Sequence, residues 1–249
     1  MRVDVVQLPR DLTPPDVAGR SVVVFDVLRA TTTMTAALAV GVKEIFVQPD
    51  LDAVAAAARA HGPAALACGE RDCLPPVGFA LGNSPGGFTA DVAAGRTVFM
   101  ATTNGTKAMA AARAAQRMFA GALVNANAVA GAVIDAGLDV TLLCAGTDGF
   151  VSLEDLIGAG AVLDALAAVG PVVFASDVAL AAHDLFLHAR PNLRHALRRT
   201  LGGTNIIETG LSDDIDFAAR LNAIDVVGEV ELDRLRVIRW GGHESVTRR

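Results

Sequence analysis

The chain contains no tyrosine, one tryptophan and only three cysteines. With aromatics at 4% of 249 residues, the interior must be filled by Ala, Val, Leu and Ile, which suits a tightly packed α/β protein. Three cysteines cannot all pair within one chain, which argues against a disulfide scaffold and for a reduced, cytoplasmic setting. Long apolar runs are also missing. The alanine-rich stretches are broken by Asp52, Arg59 and Asp164, so no membrane span is expected. Met1-Arg2-Val3-Asp4 sets an acid where a signal peptide carries its apolar stretch. Positive charge is scarce too: 21 Lys and Arg against 27 Asp and Glu give a net −6. Binding a nucleic-acid backbone needs clustered bases, so no nucleic-acid partner is expected.

What is present is alternation. Short β-branched runs predict strands over 22–25, 45–48, 64–68, 97–101 and 139–144. Between them, helices are expected over 32–40, 53–61, 106–115, 126–136 and 152–168. Gly41 and Gly62 are placed to end the first two helices, and Asp50 to cap the second. Such βαβ alternation predicts an α/β fold on a largely parallel or mixed sheet. Further helices over 177–189 and 213–222 precede two runs, 226–232 and 235–240, that read as a terminal hairpin. Residues 72–96, rich in Pro and Gly, form a loop too long to lack a purpose. No repeat or linker divides the chain, so residues 1–249 are read as one domain with an elaborated C-terminal part.

Ligands of open α/β sheets sit at the carboxyl ends of strands. Here those ends carry Asp26 to Thr33, Gly69-Glu70-Arg71, Thr102 to Lys107, and Gly146 to Gly149 with Glu154 and Asp155 soon after. Four strand ends bearing acids, arginines and hydroxyls point to an anionic ligand, with or without a metal. Each cluster also has a plainer explanation. Thr31 to Thr33 serve equally as a helix cap, and Asp26 with Arg29 as a structural ion pair. Glu154 and Asp155 suit a helix first turn, where acids complement the macrodipole. Thr102 to Thr106 reads as a turn and cap, or as a phosphate nest of backbone N–H groups.

Several motifs fail. Gly158-Ala159-Gly160 lacks the third glycine of a dinucleotide fingerprint, and Gly105-Thr106-Lys107 lacks Walker spacing. No Gly-x-Ser-x-Gly elbow and no HExxH occurs. Cys68 and Cys73 have no second ligand pair for zinc, and His183 and His188 read as helix-surface residues.

Taken in order, Phe25 to Thr33, Gly69-Glu70-Arg71, Gly82-Asn83-Ser84-Pro85, Thr102 to Thr106, Cys144 to Gly146 and Ser152 to Asp155 resemble the 2-phosphosulfolactate phosphatase family. Gly210-Leu211 and Asp213-Asp214-Ile215 are similar to its C-terminal part. The resemblance implies a three-layer α/β/α fold and Mg²⁺-dependent hydrolysis of 2-phospho-3-sulfolactate, a step toward coenzyme M. A small anionic phosphomonoester is then the expected partner, with a homodimer left open. Arg29, Arg71 and Lys107 would bind its oxyanions, aided by Thr31, Thr32, Asn83, Ser84, Thr102, Thr103, Asn104, Gly105 and Thr106. Mg²⁺ needs hard oxygen ligands, for which Asp26 with Glu154 or Asp155 is suited. Glu70 is a candidate base for water; alternatively Asp26 attacks phosphorus directly, although Leu28 stands where an aspartyl-phosphate enzyme has its second Asp. A non-catalytic anion binder, and a phosphatase of another metabolite, are the competing classes.

Overall fold

A computed structural model describes residues 1–242. Its strands are β1 (Arg2–Val6), β2 (Ser21–Phe25), β3 (Glu44–Val47), β4 (Ala65–Gly69) and β5 (Thr97–Ala101). They continue with β6 (Arg117–Gly121), β7 (Val140–Cys144), β8 (Val173–Phe174), β9 (Gly228–Glu231) and β10 (Arg236–Arg239). The helices are α1 (Pro14–Val17), α2 (Ala30–Ala39), α3 (Leu51–His61), α4 (Ala90–Ala93), α5 (Gly105–Ala111) and α6 (Ala126–Ala136). After them come α7 (Leu153–Val169), α8 (Asp177–Ala189), α9 (Leu193–Arg198), α10 (Leu201–Glu208) and α11 (Ser212–Ala218).

The strands form one mixed sheet ordered β4-β5-β3-β10-β9-β6-β2-β7-β1-β8. All five residues of β2 are buried, as a strand covered on both faces requires. Val23 and Phe25 point to one face, where Val129 of α6, Leu163 of α7 and Phe186 of α8 pack. Val22 and Val24 point to the other, against Met34 of α2 and Met109 of α5. At the far end Val54 of α3 covers Phe99 and Ala101. The result is the expected α/β/α sandwich. Asp50 caps α3 by accepting from the Ala53 N–H, and Gly41 and Gly62 take positive φ beyond their helices, as read from the sequence.

The terminal hairpin does form, but in the middle of the sheet. β10 runs antiparallel to β3 and to β9, and β9 antiparallel to β6. Two parallel blocks, β4-β5-β3 and β6-β2-β7-β1-β8, therefore run formally in opposite directions. Five strand steps separate β5 from β2, and at about 20–25° of twist per step they rotate through roughly 100–125°. That rotation turns the blocks toward each other. Their carboxyl ends meet where Gly105, just past β5, lies against Asp26, just past β2.

Three strands, β1, β6 and β8, and the helices α1, α4, α9 and α10 are absent from the sequence reading, α4 lying within the stretch read as a loop. β6 opens on Arg117 and ends on Gly121, and α10 carries Gly202-Gly203, which reads as a loop. Packing dictates both helical glycines: a Cβ on Gly203 would strike the Leu197 carbonyl, and one on Gly202 the Glu154 carboxylate. The same holds for the failed nucleotide motif. A Cβ on Gly158 would come within 2.7 Å of Val27, just past β2, and 3.0 Å of Phe25 on the sheet, and one on Gly160 would meet the Ala182 carbonyl of α8. Those glycines let α7 lie close against the end of β2 and against α8.

Gly160→Ala should therefore destabilise the fold by about 1–3 kcal/mol through overpacking. Gly131→Ala is the control, because nothing lies within 4 Å of its Cβ position on α6. It should stabilise by about 0.5–1 kcal/mol. Denaturant midpoints at constant m report both; equal shifts in one direction would show that the α7–α8 approach does not limit side-chain size.

Candidate active site

The Asp26 turn is built by hydroxyls. Thr31 Oγ1 accepts the Asp26 N–H and donates to the Asp26 carbonyl, each at 3.0 Å. The Thr32 hydroxyl donates to the Val27 carbonyl at 2.7 Å and that of Thr33 to the Asn83 carbonyl at 2.8 Å. These residues clamp the turn rather than face the cavity. Asp26 itself is buried, with Oδ1 accepting the Ala30 N–H at 3.0 Å and Oδ2 close to Gly105. Burial, assisted by the negative charge of Glu70, pushes its carboxyl up from 3.8 to about 6.

Behind Asp26 lie the two acids of the α7 first turn. Asp155 accepts the Val27 N–H on Oδ1 at 2.8 Å and the Gly146 N–H on Oδ2 at 3.0 Å. Burial, Glu154 and Asp26 together hold its carboxyl well above the usual range. Glu154 Oε1 accepts the Gly202 N–H at 3.1 Å, while Oε2 has no hydrogen-bond partner. Burial raises the Glu154 carboxyl and Asp26 adds to the effect, while Thr200 and Gly202 oppose it. Neither Glu154 nor Asp155 is on the cavity wall; both sit beneath it.

Arg29 does not pair with Asp26. Its Nη1 contacts Asp214 of α11 at 2.7 Å and donates to Ser84 Oγ at 3.1 Å, and its Nη2 donates to the Cys73 carbonyl at 2.6 Å. Ser84 in turn donates to Asp214 at 2.8 Å. Ser84 is thus an anchor for Arg29, and Asp214 is a site residue to which the sequence reading gave no role. Glu70 Oε1 accepts from the Thr103 N–H at 2.9 Å and hydroxyl at 2.6 Å, and Oε2 from the Cys73 N–H at 3.2 Å. Both oxygens of the candidate base are therefore occupied. Thr106 Oγ1 accepts the Thr102 N–H at 3.0 Å, and the Thr106 N–H donates to Thr102 Oγ1 at 3.3 Å, closing the turn on itself. Asn104 accepts the Asp148 N–H at 3.3 Å. In this arrangement the Thr102 to Gly105 turn holds the protein's own carboxylates, Glu70 through Thr103 and Asp26 at Gly105.

These elements enclose a cavity of about 350 Å³. Asp26, Glu70, Asp72, Asp148 and Glu208 supply its charge, with Arg29 as the one base on the wall among the described residues. Asp72, Cys73 and Asn83 come from the 72–96 loop, which accounts for its length. Gly202, Asn205, Ile206, Glu208 and Thr209 come from α10 and its end, a wall that sequence reasoning missed. Arg71 and Lys107 line an adjoining cavity instead. The three cysteines are unpaired.

Among the described residues no three His, Cys, Asp or Glu side chains stand together as a metal cage. The donors do fit a hard cation that keeps most of its water. Asp26 faces the cavity, an unpartnered Glu154 oxygen lies buried behind it, and no base neutralises either.

The fold and cavity define a class: a three-layer α/β protein with an acid-walled pocket at converging strand ends. No helix among the described residues is long and apolar enough to cross a membrane. Residues 7–233 match the 2-phosphosulpholactate phosphatase family, and the chain belongs to that family, whose name denotes a phosphoric monoester hydrolase. It is 37% identical over 239 residues to a probable 2-phosphosulfolactate phosphatase of Carboxydothermus hydrogenoformans, covering 96% of this chain and 97% of that one. Proteins of the same name from Deinococcus radiodurans (41% over 224 residues, 89% and 90% of the two chains) and Gloeobacter violaceus (37% over 232 residues, 91% and 94%) are similarly related.

Arg29→Ala would leave Asp214 charged and buried, and should cost about 3–5 kcal/mol of stability. Removing Asp214 as well should recover a large part of that loss in chemical denaturation; fully additive losses would refute the pairing. A second expectation concerns pH. Because the folded protein holds its Asp26 proton to about 6 and the unfolded chain only to 3.8, the native state binds more protons between those values. With divalent ions chelated, stability should fall as pH rises through this window, by on the order of 3 kcal/mol from Asp26, with the raised carboxyls of Glu154 and Asp155 adding to the fall. Asp26→Asn should flatten the fall; an identical slope in that variant would assign the titration elsewhere.

Proposed function

We propose that the protein is an Mg²⁺-dependent phosphatase that converts 2-phospho-3-sulfolactate to 3-sulfolactate and phosphate, in the cytoplasm and toward coenzyme M. Family membership supports the substrate class. The observation that carries the reading is the charge of the wall: five carboxylates against one guanidinium already neutralised by Asp214. A phosphomonoester adds negative charge to that wall, and a cation is needed to offset it. Asp26 and the unpartnered Glu154 oxygen are the groups that would hold Mg²⁺, which when bound supplies Lewis-acid polarisation of a phosphoryl oxygen.

The chain's own part is to keep these groups in place. The Ala30 N–H, with the close approach of Gly105, fixes the Asp26 carboxylate toward the cavity. Asp155 ties the Asp26 turn to the end of β7 through the Val27 and Gly146 N–H groups. Arg29, held by Asp214 and Ser84, presents fixed N–H donors rather than net charge to an anion. In the reaction, water oxygen bonds to phosphorus, the P–O bond to the C2 oxygen breaks, and one proton of the water ends on that oxygen, which leaves as the alcohol, while the other stays with the phosphate.

A second reading has Asp26 attack phosphorus, favoured by its fixed carboxylate without a basic partner. Leu28, on the same cavity wall, replaces the acid that would assist such a step, and this supports direct attack by water. Phosphate release should vanish after exhaustive chelation and return with Mg²⁺; full turnover without metal would sink the metal assignment. A panel of phosphomonoesters identifies the substrate, and no release from any of them would leave an anion binder. With an ester of chiral, isotope-labelled phosphorus, direct attack gives inversion, while net retention would make Asp26 the nucleophile.

A further inference from the structure

We propose that Arg71 and Lys107 form a second anion subsite, which reads an acid group of the substrate other than the phosphate being removed. The inference rests on the phosphatase reading above. A cavity of about 320 Å³ adjoins the acidic one and shares Glu70, Asp72, Thr102 and Thr103 with it. Its two bases issue from neighbouring strand ends, because β4 and β5 pair in register with Gly69 opposite Ala101. Arg71 lies two residues beyond the first strand end, and Lys107 follows the second in α5.

The charged groups of this second cavity differ in how far they are already satisfied. Asp50 accepts the Ala53 N–H at 2.8 Å, and Asp52 lies in the α3 first turn, where the helix dipole favours an acid. Glu70 is spent on Thr103 and Cys73, and Asp72, the fourth acid of the cavity, is solvent-exposed with no hydrogen-bond or ion-pair partner among the described residues. The side chains of Arg71 and Lys107 also have no ion-pair or hydrogen-bond partner among the described residues. The base of the first cavity is committed to Asp214, so these two are the cations left to meet a second anion. A guanidinium fork and an ammonium lining one cavity suit a sulfonate, whose three oxygens accept from separate donors. The substrate class that follows is a short phosphomonoester with a second strong acid, its phosphate at Asp26 and its other end across the Thr102–Thr103 wall.

Both residues are exposed, so their replacement should spare the fold. The test compares 2-phospho-3-sulfolactate with 2-phospholactate, the same ester without the sulfonate, in the wild type, Arg71→Met, Lys107→Met and the double variant, with circular dichroism to verify folding. The double variant should raise KM for the sulfonated ester by roughly 10- to 100-fold, the span of a lost charge-assisted hydrogen bond, with kcat changed far less. The preference for that ester over phospholactate should narrow by the same factor. Equal losses on both esters, or no loss, would overturn the subsite. If the wild type hydrolyses neither ester, the phosphatase reading has failed on its own, and calorimetric titration with 3-sulfolactate decides the subsite. Binding to the wild type that is lost in the double variant supports it; equal or absent binding rejects it.

Discussion

Carboxylates buried within range of one another repel, and Asp26, Glu154 and Asp155 are held so with no Lys or Arg paired to any of them among the described residues. Backbone amides do the holding. Ala30, Val27, Gly146 and Gly202 each give an N–H to one of the three acids. Such donors stabilise charge without contributing a full counter-charge, so the acids stay close and remain underneutralised. Two glycines are part of the same arrangement, because a Cβ at Gly105 would press on Asp26 and one at Gly202 on Glu154. Strand order, the α7 first turn and Gly202 of α10 all serve this one cluster.

Arg29 could have ended the imbalance. It is three residues from Asp26 and lines the same cavity, yet it is drawn to Asp214, which lies 185 residues away in the chain. Ser84 and the Cys73 carbonyl complete the hold. Buried pairs of this kind contribute little net stability once desolvation is counted. Their value here is directional: the guanidinium is kept off Asp26, and the C-terminal helices are joined to the floor of the site.

Much of this was legible in the sequence and some was not, for physical reasons. β2, β5 and β7 are central, buried and apolar, so periodicity finds them; β6 and β8 are short or flanked by Arg and Gly, and their strand form comes from pairing. The strand-end acids were visible because charge after an apolar run is conspicuous, and Asp26 and Glu70 do line the cavity. Invisible were the partners. Nothing local ties Arg29 to Asp214, or Thr103 to Glu70, because those contacts exist only after distant segments meet. Hydroxyls misled for the opposite reason: Thr31 and Thr32 are beside the site in sequence but satisfy backbone groups of the turn they build.

The hairpin of β9 and β10 bears on how the molecule is held together. It follows every other described strand in the chain, yet it joins the two parallel blocks, with Arg236 bonded to Glu44 across 192 residues. Without that hairpin the sheet would be two half-sheets with open edges at β3 and β6. Closing so long a loop is entropically slow. Asp26 belongs to one half-sheet, Glu70 and Thr102 to the other, so the two walls of the cavity are held in register by the seam that β9 and β10 close.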